Sequence, residues 1–159
     1  MGNTLVFIHG LESTGQGAKG QFFAKKFPQM IMENYTGNFD SRMCKLNDVL
    51  AGKTDLILVG SSYGGLMAVQ FAIENESRVK KLILLAPALN LVEFKPPANP
   101  LNLPVIIYHG SDDDVVNPRI VKDVADKYFK SLEYHLVKDD HVLHATFPSL
   151  DWHKLLITV

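Results

Sequence analysis

A serine between two glycines, Ser62 in Gly60-Ser61-Ser62-Tyr63-Gly64, is the residue of this sequence best placed to act as a nucleophile. An apolar run precedes this segment and a helix-like run follows it, so the serine occupies a sharp turn between a strand and a helix. Such a turn strains the backbone, and the residues two positions before and after its apex must be small. Gly60 and Gly64 meet this requirement around Ser62, whereas Ser61 has larger neighbours at the same offsets. A serine in this setting attacks carbonyl carbons when a base accepts its proton.

An acid and a histidine follow the serine along the chain, each after an apolar run. Residues 112–114 are three aspartates, and His141 comes later, after Asp139-Asp140. The carboxyl ends of parallel strands meet at one edge of a sheet, so these side chains are expected to lie near Ser62. His141 is the predicted base, and His144, three residues further on, is the alternative.

The elements that must position these residues are short apolar runs alternating with helical patterns. Runs of this kind are typical of buried parallel strands, and helical stripes between them indicate a parallel sheet with helices on both faces. The sequence predicts about six strands, at 4–8, 30–32, 55–59, 81–85, 105–108 and 132–137. It predicts helices at 18–27, 42–50, 66–74, 120–129 and 148–157. Four prolines indicate that 94–104 is a loop.

In the order nucleophile, acid, histidine, and in the His9-Gly10 pair after the first strand, the chain resembles the α/β-hydrolase superfamily. Small, lid-poor bacterial serine esterases are the most similar group. The resemblance runs from Leu5 to about Leu156. It implies a compact three-layer α/β-hydrolase fold with a truncated, mostly parallel sheet of about six strands and no lid domain. The two strands that usually precede the His-Gly pair are absent, and the site is expected to be shallow and open.

The resemblance also selects individual residues. The pattern His-Gly-x-x-Asp-x-x-Val, matched from His109 to Val116, selects Asp113 over its two aspartate neighbours. The pattern Asp-His followed by two apolar residues selects His141. The catalytic residues implied are therefore Ser62, Asp113 and His141, and the backbone N–H groups of Leu11 and Tyr63 are the implied oxyanion donors.

Composition limits the classes of partner. The 159 residues suit one domain, 1–159, and 16 basic against 17 acidic residues give a net charge of -1 without a long block of either sign. No nucleic-acid or membrane surface is therefore expected, and the predicted partner is a small-molecule ester or thioester. One cysteine, Cys44, excludes an internal disulfide. With no basic leader or membrane-length apolar run, a cytoplasmic location is expected.

Several other motifs have simpler interpretations. Gly15-Gln16-Gly17-Ala18-Lys19-Gly20 matches a dinucleotide-binding pattern, but its first glycine lies beyond the strand end, so no cofactor is predicted. The acidic cluster lacks clear ligand spacing, so no metal is predicted. His9 and His109 are expected to brace loops, and His135 and His153 to be partly exposed. Four apolar residues either line an acyl pocket or belong to the core or surface: Met67, Leu91, Phe94 and Leu143.

The sequence thus predicts a serine hydrolase that cleaves small carboxylic esters, or thioesters, through an acyl-Ser62 intermediate. The alternative is a catalytically silent, hydrolase-like module that binds a small molecule. A dehalogenase is disfavoured because its nucleophile is an aspartate, and nothing points to a peptidase.

Overall fold

A six-stranded sheet forms the centre of the computed structural model, which describes residues 2–11 and 14–157. All its strands are parallel, and they lie in the order β2-β1-β3-β4-β5-β6. The predicted strands are confirmed, with these bounds: β1 Thr4–Ile8, β2 Ile31–Met32, β3 Leu56–Ser61, β4 Val79–Leu85, β5 Leu101–Gly110 and β6 Phe129–Val137. The strand order reverses between β1 and β3, and crevices at such a point are where open parallel sheets bind ligands.

Helices cover both faces of this sheet. They are α1 Ala18–Lys26, α2 Phe39–Val49, α3 Tyr63–Glu74, α4 Pro118–Tyr128, α5 Thr146–Ser149 and α6 Trp152–Leu155, with a 3₁₀ turn at Glu76–Arg78. In β3, Leu56 and Leu58 belong to one buried apolar cluster, and Ile57 and Val59 belong to a second cluster on the other face. Alternate residues of a strand point to opposite faces, so both faces of β3 are buried in the expected three-layer arrangement.

Several boundaries differ from the sequence prediction by a few residues, and two of these differences have a clear structural cause. The single C-terminal helix expected over 148–157 is two short helices, because Leu150 is extended and Asp151 caps the second helix by accepting a hydrogen bond from Lys154 N. The expected loop at 94–104 ends earlier, since β5 already begins at Leu101. Pro104 is tolerated there because β4 pairs with β5 only from Val105 onward, so its missing N–H costs no bond to β4.

The connection from β4 to β5 is short. Residues 86–100, all of which the structure describes, contain no helix or strand. This connection follows β4 at the edge of the sheet where Ser62 lies. It is too short to form a lid domain over the site, as the sequence predicts.

Gly64 brings α3 against the end of β1, and its lack of a side chain is essential for that contact. A Cβ atom at this position would lie 2.1 Å from the Ile8 carbonyl oxygen and 2.5 Å from that of His9. We therefore expect Gly64→Ala to lower the free energy of unfolding by about 3 kcal/mol, because backbone atoms of β1 or α3 would have to move. Urea unfolding measures the effect, with Gly2→Ala as a control whose Cβ meets nothing within 4 Å. Equal midpoints for the two variants would contradict the close contact.

Candidate active site

Ser62 lies at the turn between β3 and α3, in a backbone conformation that residues other than glycine rarely adopt. Its φ and ψ angles are 55° and -114°. The strain predicted from the flanking glycines is confirmed, and hydrogen bonds hold the turn in place: Ser62 N donates to Leu85 O at 2.9 Å, and Ser62 O accepts from Ala88 N at 2.9 Å. The surrounding structure therefore fixes the hydroxyl at the carboxyl edge of the sheet.

Three side chains from separate loops form a hydrogen-bonded row. Ser62 Oγ lies 3.0 Å from His141 Nε2, and His141 Nδ1 lies 2.7 Å from Asp113 Oδ2. With the Nδ1–H donating to the carboxylate, Nε2 is left free to accept the hydroxyl proton. The structure thus brings together the serine, histidine and aspartate that the sequence selects.

The Asp113 carboxylate is fully buried and has several partners. Its Oδ1 accepts the backbone N–H groups of Val115 and Val116, each at 2.8 Å. Burial alone would raise the pKa of this carboxyl, but hydrogen bonds from His141, Val116 and Val115 outweigh burial and hold the pKa below its ordinary value. Asp113 is therefore ionised at neutral pH and available to stabilise a positive charge on His141.

Two further buried histidines hold the loops around this row. His109 Nε2 lies 3.0 Å from Val116 O and 3.0 Å from Asp113 Oδ2. His9 Nδ1 lies 2.7 Å from Gly10 O, and its Nε2 accepts Tyr35 N–H at 2.8 Å. Burial lowers the pKa of both histidines, which keeps their rings neutral. Their contacts agree with the bracing roles expected from the sequence.

The alternative base and acids lie outside the row. His144 is mostly exposed, and its Nδ1 lies 2.6 Å from Asp140 Oδ2. Asp112 pairs with Lys138 at 3.0 Å, and Asp114 is exposed. The two remaining histidines lie elsewhere, with His135 beside Glu133 on β6 and His153 against Phe27.

The two predicted oxyanion donors belong to residues near Ser62. Tyr63 is the first residue of α3, so its backbone N–H has no acceptor within the helix. Gly10 approaches the turn closely, since a Cβ built on it would lie 3.3 Å from Ser62 Cβ and 3.8 Å from Tyr63 N. Leu11 follows Gly10 and lines the same cavity as Ser62. Leu11 thus lines the cavity beside Ser62, and Tyr63 directly follows Ser62 at the start of α3.

A cavity of about 770 Å³ opens beside Ser62 and His141. Its wall is mainly apolar and includes Phe7 and Leu143, which are almost fully buried. Its volume falls within the usual range for small-molecule pockets. Other residues of its wall come from α1 and α5 and the loop after β6: Ala18, Lys19, Phe22, Val142, Phe147 and Pro148.

Sequence reasoning identified only part of this cavity. Of the four apolar residues considered for an acyl pocket, Leu143 lines it. Met67 is buried in the core cluster on the other face of the sheet, and Leu91 and Phe94 pack against that cluster. The α1 residues were missed, although α1 follows directly after the loop that carries the His9-Gly10 pair.

Within residues 2–11 and 14–157, no group of three or more histidine, cysteine or acidic side chains is placed to hold a metal ion. In the same part of the chain, no helix has the length and apolar character needed to cross a membrane.

Comparisons with known proteins place the chain in a family. The family model described as serine aminopeptidase, S33, matches residues 7–99, which include Ser62 but not Asp113 or His141. No curated protein sequence gives a significant match.

Solved structures of α/β hydrolases are similar over nearly the whole chain. Mouse alpha/beta hydrolase domain-containing protein 10 has a TM-score of 0.76 at 22% identity, over 98% of this chain and 88% of that one. A YdeN-like hydrolase of Pectobacterium atrosepticum gives 0.77 at 22% identity, over 98% and 89%. An esterase from a marine microorganism gives 0.78 at 14% identity, over 98% and 95%. The chain belongs to the α/β-hydrolase superfamily, within the family described as serine aminopeptidase, S33.

Proposed function

We propose that this protein hydrolyses small carboxylic esters or thioesters through an acyl-Ser62 intermediate. The observation that carries the proposal is the row of hydrogen bonds from Ser62 through His141 to the buried Asp113, with distances of 3.0 Å and 2.7 Å. A serine hydroxyl is a weak nucleophile until a base removes its proton, and this row supplies both the base and the group that orients it.

The reaction would proceed in two similar halves. His141 takes the Ser62 proton as Oγ attacks the carbonyl carbon, and Asp113 stabilises the imidazolium that forms. The negative charge on the former carbonyl oxygen is bound by the N–H groups of Leu11 and Tyr63. His141 then protonates the departing alcohol or thiol. A water molecule, deprotonated by the same histidine, attacks the acyl-enzyme and releases the acid and free Ser62.

The lining of the cavity favours esters over the peptides that the family's description suggests. An aminopeptidase must recognise a free α-amino group, and a carboxylate is the natural partner for that cation. The described residues that line the cavity include Lys19 and no aspartate or glutamate, and the Lys19 ammonium would repel the α-amino cation of a peptide. The similarity to a solved esterase supports the same choice.

A series of p-nitrophenyl esters from acetate to octanoate tests the proposal. We expect kcat/KM to rise by about tenfold or more between acetate and hexanoate, because each methylene buried in the apolar cavity contributes ~0.8 kcal/mol. A flat or falling series would mean that the acyl chain does not enter the cavity. An aminoacyl p-nitroanilide in the same assay measures peptidase activity, and its preferential cleavage would replace the ester proposal.

A fluorophosphonate probe distinguishes an enzyme from a silent binding module. Rapid labelling of Ser62, located by mass spectrometry of the modified peptide, is expected for an activated serine. Slow or absent labelling in folded protein would support the binding module instead.

A further inference from the structure

Lys19 is the charged residue of α1 that reaches the wall of the cavity beside Ser62. Its Nζ donates a hydrogen bond to the backbone oxygen of Val142 at 2.8 Å, and it lies 5.4 Å from the centre of the Phe147 ring. Val142 and Phe147 line the same cavity. The ammonium group is therefore held at the cavity wall.

The ammonium has few partners for a group in this position. An ammonium carries three donors, and among the described residues the hydrogen bond to Val142 is the one that Nζ makes. Burial lowers the pKa of Lys19, although the charges of Asp140 and Asp139 oppose that shift. Its surroundings thus partly desolvate the charge, and no described residue forms an ion pair with it.

The two nearby carboxylates are occupied by other groups. Asp139 accepts backbone N–H groups from Asp140, Ala145 and Thr146, at 2.8, 3.1 and 2.7 Å. Asp140 is bound by His144 at 2.6 Å. In the part of the chain that the structure describes, neither carboxylate comes within salt-bridge distance of the Lys19 ammonium.

We propose that Lys19 binds a carboxylate carried by the substrate, so that the ester hydrolysed is a negatively charged one. This inference rests on the proposed function, since it assigns the substrate class of the cavity beside Ser62. A carboxylate would provide acceptors for the remaining ammonium donors, and the apolar wall would hold the chain between the carboxylate and the ester. The carboxylate belongs either to the acyl half, as in a dicarboxylic half-ester, or to the alcohol half.

A purely structural role for Lys19 makes a different prediction. Val142 follows His141 directly, so the hydrogen bond from Lys19 also ties α1 to the loop that carries the base. If Lys19 acted only as this tie, its loss would slow charged and neutral esters by the same factor. The ratio between two matched esters therefore separates carboxylate binding from positioning.

The experiment compares kcat/KM for two ester pairs in the wild type and Lys19→Met. In the first pair, mono-p-nitrophenyl adipate has a free carboxylate in its acyl half, and methyl p-nitrophenyl adipate is its neutral counterpart. In the second pair, 4-butanoyloxybenzoate has a free carboxylate in its alcohol half, and its methyl ester is the neutral counterpart. We expect Lys19→Met to lower the ratio of charged to neutral kcat/KM by about tenfold or more in one pair, as loss of a hydrogen bond between charged groups implies.

Lys19→Arg should restore most of the ratio. Lys25→Met, which removes the same charge from an exposed position of α1, should leave it unchanged. An unchanged ratio in Lys19→Met for both pairs would overturn the inference.

Binding to the Ser62→Ala protein tests the same inference without catalysis. Isothermal titration with monomethyl and dimethyl adipate tests the acyl half, and titration with 4-butanoyloxybenzoate and its methyl ester tests the alcohol half. One of the two pairs should show tighter binding of the charged ester, and adding Lys19→Met should abolish the preference. Equal affinities in both pairs would overturn carboxylate binding even if the ester hydrolysis is real. Conversely, preferential binding without Ser62-dependent turnover would support the carboxylate site and overturn the proposed hydrolysis.

Discussion

Ser62→Ala is expected to lower kcat for p-nitrophenyl ester hydrolysis by about 10⁴-fold or more, because nucleophile and base act as a unit and neither compensates for loss of the other. The serine hydroxyl lies 3.0 Å from His141 Nε2, so its removal leaves the base with no proton to take from the protein. Initial rates at saturating ester, corrected for spontaneous hydrolysis, measure the effect. The change removes one oxygen from a turn held by backbone hydrogen bonds, so the fold should persist.

Ser61→Ala is the matched control for this experiment. Ser61 is the adjacent serine and the last residue of β3, but its position lacks the flanking glycines of the turn. We expect its kcat to stay within about tenfold of the wild type, since it takes no part in the transfer of the proton. Near-normal turnover by Ser62→Ala, or a collapse of turnover by Ser61→Ala alone, would refute Ser62 as the nucleophile.

His141→Ala is expected to be as damaging as Ser62→Ala, with kcat lowered by about 10⁴-fold or more. His141 joins Ser62 to Asp113, and without the ring the hydroxyl has no acceptor for its proton. His144→Ala is a close comparison, because it removes the same side chain three residues further along. His144 is exposed and bound to Asp140, so its loss should change kcat by less than about tenfold.

Steady-state kinetics of both histidine variants decide between the two candidate bases. The reverse pattern, with a severe defect in His144→Ala and a mild one in His141→Ala, would transfer the role of base to His144. Circular dichroism of the purified variants checks that each remains folded, so that a loss of rate reports on chemistry.

The turn at Ser62 illustrates what a sequence predicts well. Its conformation depends on Gly60 and Gly64, which are local requirements visible in five consecutive residues. The parallel strands were equally accessible, because residues buried on both faces of a sheet form continuous apolar runs. The selection of Asp113 from three adjacent aspartates depended instead on a spacing shared with a known superfamily, and the structure brings that residue to His141.

The cavity could not be predicted in the same way, because its wall combines segments far apart in the sequence. Lys19 and Val142 are 123 residues apart and meet only in the folded chain. The prediction of one helix over 148–157 is wrong for a local reason, because its apolar pattern does not indicate the extended conformation at Leu150 that separates α5 from α6. Likewise, the prolines before Val105 indicate a loop, but the first residues of β5 form a strand that pairs with β6 and not with β4.

The nucleophile and the base follow strands that differ in how far they are buried from solvent. Ser62 follows β3, an interior strand buried along almost its whole length, whereas the loop of His141 follows β6, an edge strand with many exposed residues. Local opening of proteins is favoured where residues are exposed to solvent, and β6 is paired on one side only. Fluctuations that release β6 would withdraw the base while leaving the strained serine in its turn. An intact site therefore depends on the edge of the sheet as well as on its core.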